Sequence, residues 1–306
     1  MQWLVLAVLV PLPWCGRPWA LPVLTIPALS PATSAKLGRR HRTCFERVGT
    51  LARLARRWLP GRGLVLVADG GFAAVGLGHA CRRAGVALVT RCRLDVALYD
   101  PPAPKDPRQA TLKARLACAG TAWSRHRVAW YGGRLEDADL AGGTALWHRA
   151  GQPPLPIGWV LARDPEGHRR PLALCCTDPA ACPPQVLAWY LARWNVEVTF
   201  EELRAWLGAE TQRGWCLLTT QRATPCLFGL FSIVALSAHA LHPDHLPVRA
   251  AAWYAKDEPT FADALASVRR ALWAARNSRT QADPIDSPLS PRDFLASLMD
   301  AAAYAA

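Results

Sequence analysis

Tyr190 to Arg204 (Tyr-Leu-Ala-Arg-Trp-Asn-Val-Glu-Val-Thr-Phe-Glu-Glu-Leu-Arg) is the stretch of this chain richest in side chains that could do chemistry together. Wound as one helix at about 100° per residue, it places Tyr190, Arg193, Glu197 and Arg204 on one narrow stripe. One carboxylate then stands between two guanidinium groups and a phenol. Hard oxygen ligands hold a divalent cation, and arginines take up the remaining charge of a phosphate beside it, so the stripe suits work on a phosphodiester. Glu201 shares the stripe as a rival ligand but fits the tyrosine and arginine spacing less well. The ordinary reading of Glu197 is a solvated residue paired with Arg193. Trp194, next to Arg193, is a candidate for stacking contact with a nucleic acid, although tryptophans such as Trp194 and Trp206 are more often core.

A second acid belongs with this stripe. Leu64-Val65-Leu66-Val67-Ala68 runs straight into Asp69-Gly70-Gly71. A continuously apolar run of that length reads as a strand buried on both faces, and such a strand delivers a functional carboxylate at its carboxyl edge. Taken alone, Asp69 is a turn former before two glycines. Its place after a buried strand, and ahead of Glu197 in the chain, raises the metal-ligand reading.

The elements that must position these groups follow from pattern. Trp3–Val10 and Trp19–Ile26 are apolar segments of similar length, separated by Pro11, Pro13, Gly16 and Pro18, as two neighbouring buried strands would be. Ser34 to Leu59 carries a basic amphipathic helix (Lys36, Arg39, Arg40, Arg42, Arg47, Arg53, Arg56, Arg57), stopped by Pro60-Gly61. After the strand ending at Asp69, a helix from about Ala73 to Ala84 and a parallel strand at Val86–Arg91 complete an α/β core. Residues 100–119 read as a Pro-rich loop with Lys105, Arg108, Lys113 and Arg115. Short β-type runs at Arg127–Tyr131, Thr144–His148, Ile157–Ala162 and Pro171–Cys175, punctuated by Gly-Gly and Asp-Pro-Glu-Gly turns, read as an antiparallel insertion. Pro183-Pro184 opens the long helix that carries Glu197, and Gly208 ends it. Asp178, before Pro179, reads as a cap or turn. Leu227 to Leu241 is expected as a buried helix, too short and interrupted to span a membrane. Alanine-rich helices at Phe261–Trp273 and Asp293–Ala302 flank a polar linker, 277–291.

Composition bounds the partners. The chain has 306 residues, 51% of them hydrophobic, with mean hydropathy +0.06 and net charge +13, and is globular rather than disordered. Its positive charge is arginine far more than lysine, which suits bidentate phosphate recognition and points to a polyanion. A high-GC genome explains part of the preference for Arg over Lys, but not the excess of charge. Ten cysteines lie scattered with no Cys-x-x-Cys pair, which argues against zinc and reads as reduced core thiols in the cytosol. The apolar opening, Met1 to Cys15, imitates a secretory or lipoprotein leader. It lacks a basic n-region and is broken by Pro11 and Pro13.

Tyr190, Arg193 and Glu197 reproduce the tyrosine–arginine–glutamate spacing of the cut-and-paste DDE transposases of bacterial insertion sequences, the group with a β-rich insertion before the last catalytic acid. Val-Ala-Asp69-Gly-Gly-Phe resembles that family's second-aspartate motif. Thr-Arg91-Cys-Arg93-Leu-Asp-Val-Ala-Leu-Tyr99 resembles the segment after it, and Thr177-Asp178 the lead-in to the last helix. The landmarks keep family order over roughly residues 1 to 240.

The resemblance implies an α/β, RNase H-like core in four stretches: 1–99, the first part of the core; 100–178, the loop and antiparallel β insertion; 179–245, the last catalytic helix and the helix after it; and 246–306, a helical tail. It implies two aspartates and a glutamate on two Mg²⁺ (or Mn²⁺) ions. Asp69 maps to the second acid and Glu197 to the last. Tyr190 and Arg193 map to phosphate-binding groups, and Arg204 stands where the family usually has lysine, with altered donor geometry. The implied partner is double-stranded DNA at transposon ends, bound in the cytoplasm at the nucleoid, with a homodimer on DNA and no membrane.

One landmark is missing. The family's first aspartate lies on an opening strand, whereas this chain has no acidic residue before Glu46. Trp3–Val10 and Trp19–Ile26 then correspond to the second and third strands, and the expectation is a transposase inactive as written. Two other readings stay open: a DNA-binding remnant competing with an intact transposase, and a secreted or lipid-anchored protein.

Overall fold

The computed structural model describes residues 2–100, 109–211, 216–249, 256–280, 298–299 and 302–304. Lys105 and Arg108, and most of the expected 293–302 helix, lie outside them. The elements in chain order are β1 (Gln2–Val10), β2 (Trp19–Ala28), α1 (Pro31–Lys36), α2 (Cys44–Trp58), β3 (Leu64–Ala68), α3 (Val75–Arg83), β4 (Val86–Arg91), β5 (Leu98–Tyr99), α4 (Leu112–Ala117), β6 (Ser124–Ala129), β7 (Leu135–Trp147), β8 (Leu155–Arg163), β9 (Leu172–Cys176), α5 (Pro183–Ala192), α6 (Asn195–Leu207), α7 (Leu217–Leu241) and α8 (Phe261–Thr280). They form two compact units, Met1–Leu4 with Ala28–Trp194, and Val5–Pro27 with Asn195–Ala306.

The first unit is built on a mixed sheet of seven strands in the order β3-β4-β9-β8-β7-β5, with β6 pairing β7. β3 and β4 are parallel, Leu64 opposite Val86 and Ala68 opposite Thr90. Every other pair in this sheet is antiparallel. The short β-type runs of the sequence are therefore antiparallel, as expected. They are no appendage, because β9 pairs directly with β4 and makes one continuous sheet.

Of the two Gly-Gly pairs, Gly132-Gly133 makes the expected turn, at φ +81° and +83°, whereas Gly142-Gly143 lies inside β7, which runs unbroken through both. Close packing is the reason: a Cβ on Gly142 would stand 2.6 Å from Pro183 Cγ, and one on Gly143 2.8 Å from Trp159 Cζ2. Val89, Leu140, Val160, Leu174, Leu187 and Tyr190 share one buried cluster of this unit.

The basic helix begins later than its pattern suggested. α1 is a separate short helix, and α2 starts at Cys44. A capping box sets that start: Thr43 Oγ1 accepts from Glu46 N at 3.2 Å, while Glu46 Oε2 accepts from Thr43 N at 2.7 Å.

β1 and β2, most of whose residues belong to the second unit, make a two-stranded sheet of their own. Hydroxyls from the helices serve carbonyls of β2: Thr199 Oγ1 donates to Ala20 O at 2.7 Å and Ser232 Oγ to Pro22 O at 2.6 Å. Trp14 and Trp19 meet edge to face at 5.1 Å, and Phe231 stacks on Phe261 at 4.3 Å.

α7 corrects the expected length. It has 25 residues, carries Pro225 within it, and is long and apolar enough to cross a membrane, with a mean hydropathy of 1.7 over its best window. Phe231, Val234, Ala235 and Ala238 are buried in the unit's core, while Leu230, Ile233 and Leu236 are exposed.

Candidate metal and nucleic-acid site

Asp69 is the first residue past β3, and the sheet places it firmly. Its backbone carbonyl accepts the Thr90 hydroxyl from β4 at 2.7 Å. Its Oδ1 accepts from Gly71 N at 2.8 Å and starts the single turn Gly70–Phe72. The side chain is thus a turn former, as its bland reading held. The residue is exposed, and Oδ2 takes no hydrogen bond among the described residues. A hard acceptor with a fixed rotamer at the carboxyl end of a strand is a good ligand for a divalent cation.

The long helix expected from Pro183 to Gly208 is two helices. α5 stops at Ala192 and α6 starts at Asn195. At the junction Arg193 N bonds Tyr190 O at 3.3 Å and Trp194 N bonds Leu191 O at 3.1 Å, three-residue spans in place of the four-residue ladder. The residues that follow explain where it gives way, since Asn195 favours a helix start and Val196, Val198 and Thr199 are β-branched. The stripe of Tyr190, Arg193, Glu197 and Arg204 therefore does not run along one continuous helix. Gly208, at φ +68°, closes α6 where the pattern put it, and Ala209 N donates to Leu203 O at 3.1 Å.

The first unit holds Asp69, Tyr190, Arg193 and Trp194; the second holds Glu197 and Arg204. α5 packs on the strands of the sheet, β3 and β4 among them. The Tyr190 ring is 6% exposed within the core, and the Arg193 guanidinium lies 5.8 Å from its centroid. Trp194 is 43% exposed and rests against Tyr131 at 5.0 Å. Tyr131 in turn meets Trp130 at 5.7 Å, and Arg169 lies 4.3 Å over the Trp130 ring. Spacing gave no sign of them: Trp130 and Tyr131 lie in the turn joining β6 to β7, and Arg169, between β8 and β9, is held there by an ion pair with Glu136 of β7.

Glu197 sits half-buried in the first turn of α6, where the helix dipole favours a carboxylate. Arg204 is exposed and ion-paired with Glu210 at 3.6 Å. Glu201 is exposed. Glu202 is the acid that the spacing missed. With Arg17, Asn195 and Thr199 it lines a cavity of about 20 Å³, enough for one water. Burial pushes its carboxyl above the usual range, against the opposing pull of a hydrogen bond from Trp206. Arg17 Nη1 donates to Asn195 Oδ1 at 3.2 Å.

Among the described residues, no group of three or more His, Cys, Asp or Glu side chains is gathered as a metal would require.

No family model matches the chain, and no curated protein is similar to it. Among solved structures it is similar to a piggyBac transposase, seen by cryo-EM in a synaptic complex with hairpin DNA, at 11% identity and a TM-score of 0.41. The likeness covers 90% of this chain and 51% of that one, so the chain spans about half the length of the protein it matches.

Proposed function

We propose that this chain is a DNA-acting protein of the DDE transposase type, with an RNase H-like core in which Asp69 and Glu197 hold Mg²⁺ or Mn²⁺. Tyr190, Arg193, Arg204 and Trp194 bind the transposon end. The observation that carries the reading is the setting of Asp69: exposed at the carboxyl end of a parallel-paired strand, one oxygen anchored and the other open. The Tyr190–Arg193–Glu197 spacing supports it.

When bound, the metal pair would activate water or a DNA 3′-hydroxyl for in-line attack on phosphorus and stabilise the leaving oxygen. The chain does the rest. Gly71 N holds the Asp69 carboxylate in one orientation, Arg193 and Arg204 take up phosphate charge, and Trp194 offers an exposed ring to a DNA terminus.

Two carboxylates hold a bridged ion pair weakly, and this reading needs a third on a strand beside β3. Among the described residues, the outer edge of β3 has no partner in the seven-stranded sheet. The chain is expected to bind DNA at transposon ends in the cytoplasm, as a homodimer, and, with two carboxylates for a bridged ion pair, to cut it little. A non-cutting competitor of an intact transposase is the second reading, and the +13 charge favours it equally.

The test uses duplexes carrying the repeats that flank the gene, with the purified chain and Mg²⁺ or Mn²⁺. Retained binding with little cleavage is expected, together with calorimetric Mn²⁺ binding that Asp69→Asn and Glu197→Gln each abolish. If both variants bind Mn²⁺ as the parent does, the metal site is wrong. Efficient cutting by the parent chain would overturn the need for a third acid.

A further inference from the structure

The basic segment around α2 looks uniform in sequence, yet the fold sorts its arginines into two groups. Arg56 is committed to structure: its guanidinium donates to the carbonyls of Ala84 (3.3 Å), Gly85 and Arg62 (2.6 Å), tying the end of α2 to the turn after α3. Arg47 Nε is likewise held, by Arg42 O at 3.2 Å. Arg40, Arg42 and Arg53 face a groove of about 560 Å³ between α2, α3 and the turn joining β7 to β8, and of Arg53 only Nη2 is engaged, donating to the Thr50 hydroxyl at 3.1 Å.

Two further arginines complete that groove from other elements, Arg83 from the last turn of α3 and Arg149 from the turn. All five are exposed. Of these, only Arg40 meets a carboxylate among the described residues, Glu46 at 3.9 Å. Glu46 is itself occupied by the capping box with Thr43. The floor is small, with Gly49, Gly76 and Ala80, so a bulky chain can come close.

The shape selects among anions. The groove shares Arg42 and Phe45 with a second hollow of about 700 Å³, so the two make a track rather than a closed pocket. Phe45 is the sole phenyl or indole side chain lining either hollow, and it is engaged edge to face with Phe72 at 6.2 Å. A base therefore finds no sandwich here, while planar guanidinium forks match phosphate oxygens. We propose that this five-arginine groove binds the phosphodiester backbone of duplex DNA without reading its sequence, as a contact additional to the Asp69 end of β3. It rests on the DNA reading above only for the identity of the polyanion.

Binding of a labelled duplex of about twenty base pairs, followed by anisotropy from about 50 to about 200 mM salt, tests this. The triple variant Arg53→Ala, Arg83→Ala, Arg149→Ala is compared with Arg39→Ala, Arg57→Ala, Arg82→Ala, which removes equal charge from exposed residues lining neither hollow. The groove triple is expected to weaken binding at least about tenfold and to flatten the slope of log K against log salt by about 2 to 3, at roughly 0.9 for each phosphate no longer neutralised. The control triple should change affinity by less than about threefold and keep the slope. Equal losses in both triples, or none in the groove triple, would overturn the proposal. Should the groove triple melt early, the double variant Arg53→Ala, Arg149→Ala is read in the same way. The assay is run without divalent metal, so the loss in the groove triple reads the groove alone and stands whether or not a metal or cleavage function is found at Asp69.

Discussion

Single side chains here are set apart by their immediate surroundings more than by residue type. Asp69 combines a turn-forming role with an open carboxylate oxygen because Oδ1 bonds Gly71 N and its own carbonyl is engaged by Thr90. The thiols divide in the same way. Burial pushes Cys15 and Cys81 up to about 11, so they stay protonated at neutral pH and react slowly. Cys216 caps α7, its sulfur hydrogen-bonded with the Thr219 hydroxyl at 2.8 Å and accepting Thr219 N at 3.3 Å, and these bonds lower its pKa. Reaction with a thiol-specific disulfide reagent at pH 7 should show a fast phase that Cys216→Ser removes, while Cys15→Ser and Cys81→Ser leave it unchanged. Persistence of that phase in Cys216→Ser would refute the assignment.

Elements, in turn, are bounded by packing where the local pattern is silent. Periodicity predicted one helix through Tyr190 and Glu197, yet the ladder tightens at Arg193 and Trp194 and a new helix starts at Asn195. Gly142-Gly143 looks like a turn, but what it provides is room for Pro183 and the Trp159 ring beside β7. Gly143→Ala should therefore cost about 1–3 kcal/mol in urea unfolding, as overpacking against a rigid ring does. Gly229 lies inside α7 with open space where a Cβ would go, so Gly229→Ala should stabilise by about 0.5–1 kcal/mol. If Gly143→Ala proves neutral, that close approach is not what keeps a glycine there.

At the scale of the whole molecule, a net charge of +13 coexists with a few acids that hold the chain together. Asp263 is fully buried in the second unit and joins distant stretches, accepting from Lys256, Thr260 N (2.8 Å), Arg249 N (3.2 Å) and the Tyr304 hydroxyl (3.2 Å). Burial alone would raise its pKa, but the bonds from Lys256 and the two backbone N–H groups outweigh that and hold it below the usual range. A depressed carboxylate contributes stability that is complete above its unfolded value of about 3.9 and disappears as pH falls through the folded value. Acid titration of thermal stability should therefore show a loss beginning near pH 4, and Asp263→Asn should remove that component. The variant should also cost about 3 kcal/mol at neutral pH by leaving Lys256 without its charge partner. An Asp263→Asn protein as stable as the parent would refute this role.

Much of the fold was legible in sequence for local reasons. The strand ending at Asp69, the parallel strand at Val86–Arg91 and the stop at Gly208 each depend largely on neighbours in the chain, and each is found, although β3 is half-buried along its length rather than buried on both faces. Long-range pairing decided the rest. Joining β9 to β4 made the insertion part of the main sheet, and pairing of β6 with β7 set Tyr131 beside Trp194. Packing of α2 against α3 turned a run of arginines into one group bound to carbonyls and another facing a groove. By itself, then, the sequence determined which side chains are available for phosphate and metal chemistry, because composition and spacing are properties of the chain alone. Which of them are exposed, which are spent on structure and which stand together was settled only by tertiary structure, because burial and hydrogen-bond partners come from residues far apart in the chain.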